Sequence, residues 1–150
     1  MSLKNKINED LNSALKAKDN TRVDTLRSIR AEILKMDKSG MNREMNEDEE
    51  VQLLSKQAKM RKESIEMFAN AGRQDLVDKE KSQLDIISEY LPKQMSSEEA
   101  EVVISKIVSD LGATSQKDFG KIMGEVMKQL KGKIDGKVIQ EILKSKLTDN

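Results

Sequence analysis

The chain has 150 residues, which allows one ordinary domain or two small ones. Charged residues are 36% of it and hydrophobic residues 36%, and Lys+Arg equals Asp+Glu at 27 each, so the zero net charge argues against a wholesale nucleic-acid wrapper but leaves room for a local basic patch. Cysteine and histidine are absent, which excludes disulfides, thiolate nucleophiles and Cys-ligated metals and removes the commonest general base.

The apolar pattern is helical throughout. Leu3, Ile7, Leu11 and Leu15 recur every four residues and predict a first helix. Asn20 is the candidate N-cap of a second, whose apolar face is Val23, Leu26, Ile29, Ile33 and Met36 and whose stop is Gly40. A polar loop follows, in which Met41 and Met45 are expected to be exposed and to offer an adaptable contact surface. Asn46 starts a long helix with Glu49 at the capping-box position and acids from Glu47 to Glu50 at the positive dipole end.

Val51, Leu54, Ala58, Ile65 and Phe68 mark that helix's seam, with Arg61 at one seam position. Arg61 is expected either to snorkel or to pair with an acid such as Glu80 on the facing helix. Gly72 is the stop. The short connection Ala71-Gly72-Arg73 predicts an antiparallel hairpin with a helix carrying Val77, Leu84, Ile87 and Leu91. Pro92, the only proline, should end that helix near Leu91 and opens the boundary between two lobes, residues 1–94 and 95–150.

In the second lobe, Ser96 and Glu99 form a capping box before Ala100, Val103, Ile104, Ile107, Val108 and Leu111, with Gly112 as the stop. Ser115 and Asp118 read as a second box before Phe119, Ile122, Met123, Val126, Met127 and Leu130. Asp135 caps a last helix bearing Val138, Ile139, Ile142, Leu143 and Leu147. The expected fold class is all-α: an N-terminal helical lobe with a long hairpin, then a small three-helix lobe.

The chemistry-bearing residues concentrate near the C-terminus. Lys128, Lys131, Lys133 and Lys137 crowd the junction of the last two predicted helices, with Gly132 and Gly136 between them. From Lys117 to Lys146 there are eight lysines and four acids. A helix N-terminus with free N–H groups and an open glycine backbone can hold a phosphate, although solvated caps account for the same lysines. Gly120 and Gly124 lie one turn apart, and each costs about 1 kcal/mol in a helix interior relative to alanine. Close helix packing is the expected reason, and ligand access to the backbone is the alternative. Arg22, Arg27 and Arg30 form a second basic candidate, with Arg27 and Arg30 sharing a face as a secondary patch; they are read either as phosphate contacts or as partners of neighbours such as Asp24 or of the long hairpin.

No carboxylate pair combines with a nucleophile, a glycine loop or a metal set, so no catalytic residue, cofactor or metal is assigned. The aromatics are only Phe68, Tyr90 and Phe119, too few for a base-stacking platform. No apolar run reaches membrane-span length, and the first residues lack the apolar core of a secretory signal, which gives a cytoplasmic expectation.

Four tracts resemble the YqeY family: Asp10-Leu11 with Ala14-Leu15-Lys16-Ala17-Lys18-Asp19; Thr25 to Ile33; Arg61 to Glu66 with Ala71-Gly72-Arg73; and Tyr90-Leu91-Pro92. Gly120, Gly124, Met127 and Lys131-Gly132-Lys133 add to the match. The C-terminal part is similar to the tail domain of GatB, the tRNA-binding subunit of glutamine-dependent aminoacyl-tRNA amidotransferase. That resemblance implies a two-lobed helical protein whose tail engages tRNA, with an amidotransferase link (carbon–nitrogen ligase chemistry using glutamine as amido-N-donor) by homology only. Asp135-Gly136 departs from the Asn-Pro expected there and places a negative charge beside the lysines. The expected partner is tRNA, and a protein-interaction adaptor without an RNA ligand is the alternative. An autonomous ligase or amidase is disfavoured by the missing cysteine and histidine.

Overall fold

A computed structural model describes residues 2–39, 43–113 and 115–147. Among these there are seven α-helices, one 3₁₀ turn and no β-strand. The chain divides into two compact units, Met1–Pro92 and Lys93–Asn150.

The first unit contains α1 (Leu3–Ala17), α2 (Asn20–Asp37), α3 (Glu47–Asn70) and α4 (Gln74–Ser88). Ser2 caps α1 by accepting the Asn5 N–H. Leu3, Ile7 and Leu11 are buried as expected, but the fourth core position is Ala14, and Leu15 is 46% exposed. The reason is angular: a four-residue step overruns a helical turn by about 40°, so a strict four-residue repeat rotates off the buried face.

The turn after α1 escaped the sequence pattern. Lys18 adopts the left-handed conformation, φ +57°, and the Lys18 and Asp19 N–H groups donate to the Leu15 and Ala14 carbonyls. That turn leaves Asp19 outside helical geometry, so its carboxylate, not Asn20, caps α2 by accepting the Arg22 N–H at 3.1 Å. Val23, Leu26, Ile29 and Ile33 are buried, and Met36 is half-buried. The expected Gly40 stop and Met41 lie outside the described residues. Met45 packs against the core instead of standing exposed.

Asn46 caps α3 by accepting the Glu49 N–H at 2.9 Å. The Glu49 carboxylate does not close a capping box, because it lies 2.8 Å from the Arg43 guanidinium. Gly72, at φ +71°, ends the helix, and the Arg73 N–H reaches the Phe68 carbonyl. α3 and α4 then pack as a hairpin, with Arg61 3.1 Å from Glu80 across the seam. Leu54 and Ala58 of α3 and Ile86 and Ile87 of α4 complete the core of α1 and α2. α4 ends at Ser88, earlier than Pro92 alone would require. Three tight turns follow, in which the Glu89, Tyr90 and Leu91 N–H groups donate to the Ile86, Ile87 and Ser88 carbonyls.

The second unit contains α5 (Ser97–Asp110), a 3₁₀ turn (Gln116–Asp118), α6 (Phe119–Leu130) and α7 (Gly136–Lys146). Ser96 and Glu99 form the full capping box. Gly112, at φ +65°, closes α5, and this turn buries Ala113 while leaving Leu111 43% exposed. The second expected box does not form. Gln116–Asp118 winds as 3₁₀, so α6 starts at Phe119 and neither Ser115 nor Asp118 makes a side-chain cap. Gln116 instead donates to the Leu147 carbonyl at 2.8 Å, beyond the end of α7. Ala100, Ile104 and Ile107 pack with Ile122, Val126 and Leu130 and with Ile139, Leu143 and Leu147.

Gly120 and Gly124 do not serve close packing. Both are exposed, and a Cβ on either would meet nothing within 4 Å. Alanine at each should therefore stabilise the chain by about 0.5–1 kcal/mol, measured by urea unfolding. Lys18→Gly should add about 1 kcal/mol in the same assay by relieving the left-handed strain.

Candidate functional site

The lysine-rich junction is built by backbone anchoring. α6 breaks at Lys131, and Gly132 takes φ +78°. The Lys133 N–H returns to the Leu130 carbonyl at 2.9 Å. The carbonyls of Gly132 and Lys133 accept from the Gln94 side chain at 2.7 Å and the Met95 N–H at 2.8 Å. These bonds hold a short non-helical segment whose side chains project from a fixed frame.

Asp135 caps α7 as expected and changes what the junction can do. Its carboxylate accepts the Lys137 N–H at 3.0 Å, and its main-chain oxygen accepts from Val138 and Ile139 at 3.1 and 3.2 Å. A phosphate at this helix N-terminus would compete with the protein's own carboxylate for donors and dipole. The side-chain ammonium groups remain. Lys128 is paired with Glu125 at 3.1 Å, and Lys146 with Glu101 at 3.2 Å. Lys131, Lys133 and Lys137 have no ion-pair partner among the described residues. Lys131, Lys133, Gly132 and Gly136 are half-buried, and Lys137 is exposed.

Arg27 and Arg30 lie in the other unit, on the outer face of α2. Both are exposed and neither has a partner among the described residues, so the expected pairing with Asp24 or the hairpin is not made. Arg22, which is half-buried, is the arginine of the three that pairs as expected, with Glu89 at the end of the hairpin.

That pairing is part of a larger cluster, which the sequence did not assemble. Arg22 makes a two-pronged contact with Glu89, at 2.7 and 3.1 Å, and lies 3.7 Å from Asp19. Next to it the Tyr90 hydroxyl donates to Asp10, which is 3.7 Å from the Lys6 ammonium. These groups line a shallow cavity of about 430 Å³. The Arg22 hydrogen bonds hold the Glu89 carboxyl below its ordinary range. Burial, then the hydrogen bond to Asp10 and that residue's negative charge, push the Tyr90 phenol far above its ordinary range. A phenol so disposed stays protonated at neutral pH and donates to Asp10, so the cluster clasps the segment after α4 to α1 and α2. Its sequence signals were Arg22, expected to pair with the hairpin, and Asp10, Asp19 and Tyr90-Leu91-Pro92, family tracts with no evident task.

Among the described residues, no group of three or more acidic side chains could hold a metal ion, and no helix is long and apolar enough to cross a membrane.

A family model described as Yqey-like protein matches residues 4–147. Relatives include the protein named "Altered inheritance of mitochondria protein 41, mitochondrial" of Pyrenophora tritici-repentis, 34% identical over 131 residues, covering 85% of this chain and 70% of the relative. Its namesake in Lachancea thermotolerans is 33% identical, covering 70% of this chain and 57% of the relative. An uncharacterized protein of Schizosaccharomyces pombe is 33% identical, covering 61% of this chain and 73% of the relative. The chain thus spans between about half and three quarters of the length of these relatives.

The mitochondrial names overturn the cytoplasmic expectation. That expectation rested on the missing apolar leader, which tests only for a secretory signal. Mitochondrial targeting segments are amphipathic and basic, so the test is blind to them.

The sole tyrosine reports on its own clasp. Because its folded pKa is raised, Tyr90 contributes stability fully present below about pH 10 and lost as the pH climbs further. The phenolate absorbance of the native chain should stay well below half-maximal at pH 10, and in urea its midpoint should fall to about 10. Asp10→Asn should lower the native midpoint. A native midpoint of 10 would refute the clasp.

Proposed function

The chain belongs to the Yqey-like protein family, and from that premise we propose that it is a tRNA-associated binding module. Residues 95–150 act in this reading as a GatB-tail-like lobe that engages tRNA, and residues 1–94 as the lobe added to it. The link to glutamine-dependent amidotransferases is one of homology, and the chain contributes binding instead of ligase chemistry.

The observation that carries the reading is the set of three ammonium groups, Lys131, Lys133 and Lys137, left without acidic partners among the described residues on a backbone-anchored junction. Point charges of this kind meet phosphates and position a nucleic acid without reading bases. The eight lysines against four acids between Lys117 and Lys146 give the region an excess of four positive charges in a chain whose net charge is zero. Asp135 tempers this excess, but its carboxylate is engaged by the α7 N-terminus. Lys128 contributes from the last turn of α6, with its charge shared by Glu125. Gly132 and Gly136 keep the surface low. Arg27 and Arg30 are a secondary phosphate contact in this reading.

Filter binding to total tRNA over a salt series tests it. Lys131→Ala, Lys133→Ala and Lys137→Ala together should weaken binding and lower the log–log salt slope by about 2–3, one contact per lysine. Absence of binding by the natural chain at low salt would refute the reading. A defined protein partner recovered from cells after nuclease treatment, with no crosslinked RNA, would favour the adaptor alternative.

A further inference from the structure

We propose that a cleft in the first unit, beside the N-terminus of α3, is a docking groove for a basic, amphipathic peptide segment of a partner protein. The site is distinct from the lysine junction and does not rest on the tRNA reading. The cleft has a volume of about 640 Å³ and forms where the start of α1, the first turns of α3 and the segment after α4 meet. Val51, Leu91 and Pro92, each half-buried, give it an apolar lining over the buried Leu3 and Leu54, with Tyr90 alongside. Of its charged lining, Glu89 is held by Arg22, Glu50 by the Leu3 N–H, and Lys6 lies 3.7 Å from Asp10, which leaves Glu47 as the cleft's one charge without a partner among the described residues.

The charge extends beyond the cleft. Residues 44–50 contain five acids and no base. Two of the five are engaged: Glu49 pairs with Arg43, and Glu50 accepts the Leu3 N–H at 2.7 Å. Glu44, Glu47 and Asp48 are exposed and have no ion-pair partner among the described residues. The helix dipole accounts for acids in the first turn of α3 but not for Glu44, which precedes the cap. An apolar floor asks for an aliphatic anchor, and an unbalanced acidic approach asks for lysine or arginine beside it. A segment carrying both on one helical face supplies the complement. RNA and anionic lipid have the wrong sign for this surface.

The probe is a fluorescein-labelled helical peptide with leucine at three-four spacing and lysine elsewhere, titrated with the full chain by anisotropy. A scrambled peptide of the same composition should bind about tenfold more weakly, because the apolar face is lost. Glu47→Lys with Asp48→Lys should weaken binding by about tenfold or more. Glu63→Lys with Glu66→Lys applies the same charge change to exposed α3 residues outside the cleft and should leave binding intact. Glu47→Gln with Asp48→Asn, a milder pair checked for native helicity by circular dichroism, should give an intermediate loss. Equal binding of the two peptides, or equal losses from the two lysine pairs, would overturn the proposal. So would a chain that dimerises in sedimentation and loses the dimer on Glu47→Lys with Asp48→Lys, since a second copy would then be the occupant.

Discussion

Closure of the first unit depends on how the chain leaves α4. The helix ends at Ser88, and tight turns swing Glu89 and Tyr90 back toward α1 and α2. There Glu89 meets Arg22 and the Tyr90 hydroxyl meets Asp10. The two contacts join residues 67 and 80 positions apart. The apolar core would bring the four helices together without them, since hydrophobic burial is non-directional. Directional bonds select which end of α4 lies over which end of α1. They also set walls of the two cavities described above, which share Lys6, Glu89 and Tyr90.

Most of the helices were legible in the sequence because their apolar stripes and caps agree. Ser96 with Glu99, Asn46, Asp135 and Gly72 each sit where local chemistry says a helix begins or ends. The misses share a physical origin in competition between nearby residues. Asp19 outcompeted Asn20 because the Lys18 turn had already fixed its backbone. Gln116 was drawn to the carbonyls of α7, and a 3₁₀ turn replaced the expected box at Ser115. Arg61 with Glu80 was readable because a hairpin seam fixes which positions face each other. Arg22 was expected to pair with the hairpin, but Glu89 as its partner was not readable, because the turns after Ser88 decide where that segment lands.

The candidate sites divide in the same way. The lysine junction was visible as a run of one residue type, and the structure adds the distinction between paired Lys128 and unpaired Lys131, Lys133 and Lys137. It also places the Asp135 carboxylate on the α7 N–H groups that a phosphate would want. The acidic cleft was hidden in plain view, because acids at a helix start have a sufficient local reason. A neutral total conceals two local patches of opposite sign, one in each unit.

The two cores use separate sets of residues, and the only tyrosine belongs to the first. The chain has no tryptophan. Intrinsic fluorescence and near-ultraviolet tyrosine signals therefore follow the first unit alone, and the second is optically almost dark apart from Phe119. A melting curve read on tyrosine emission would describe one half of the molecule, while backbone dichroism would average both. Disagreement between these two readouts would reveal whether the halves lose their structure together or in turn.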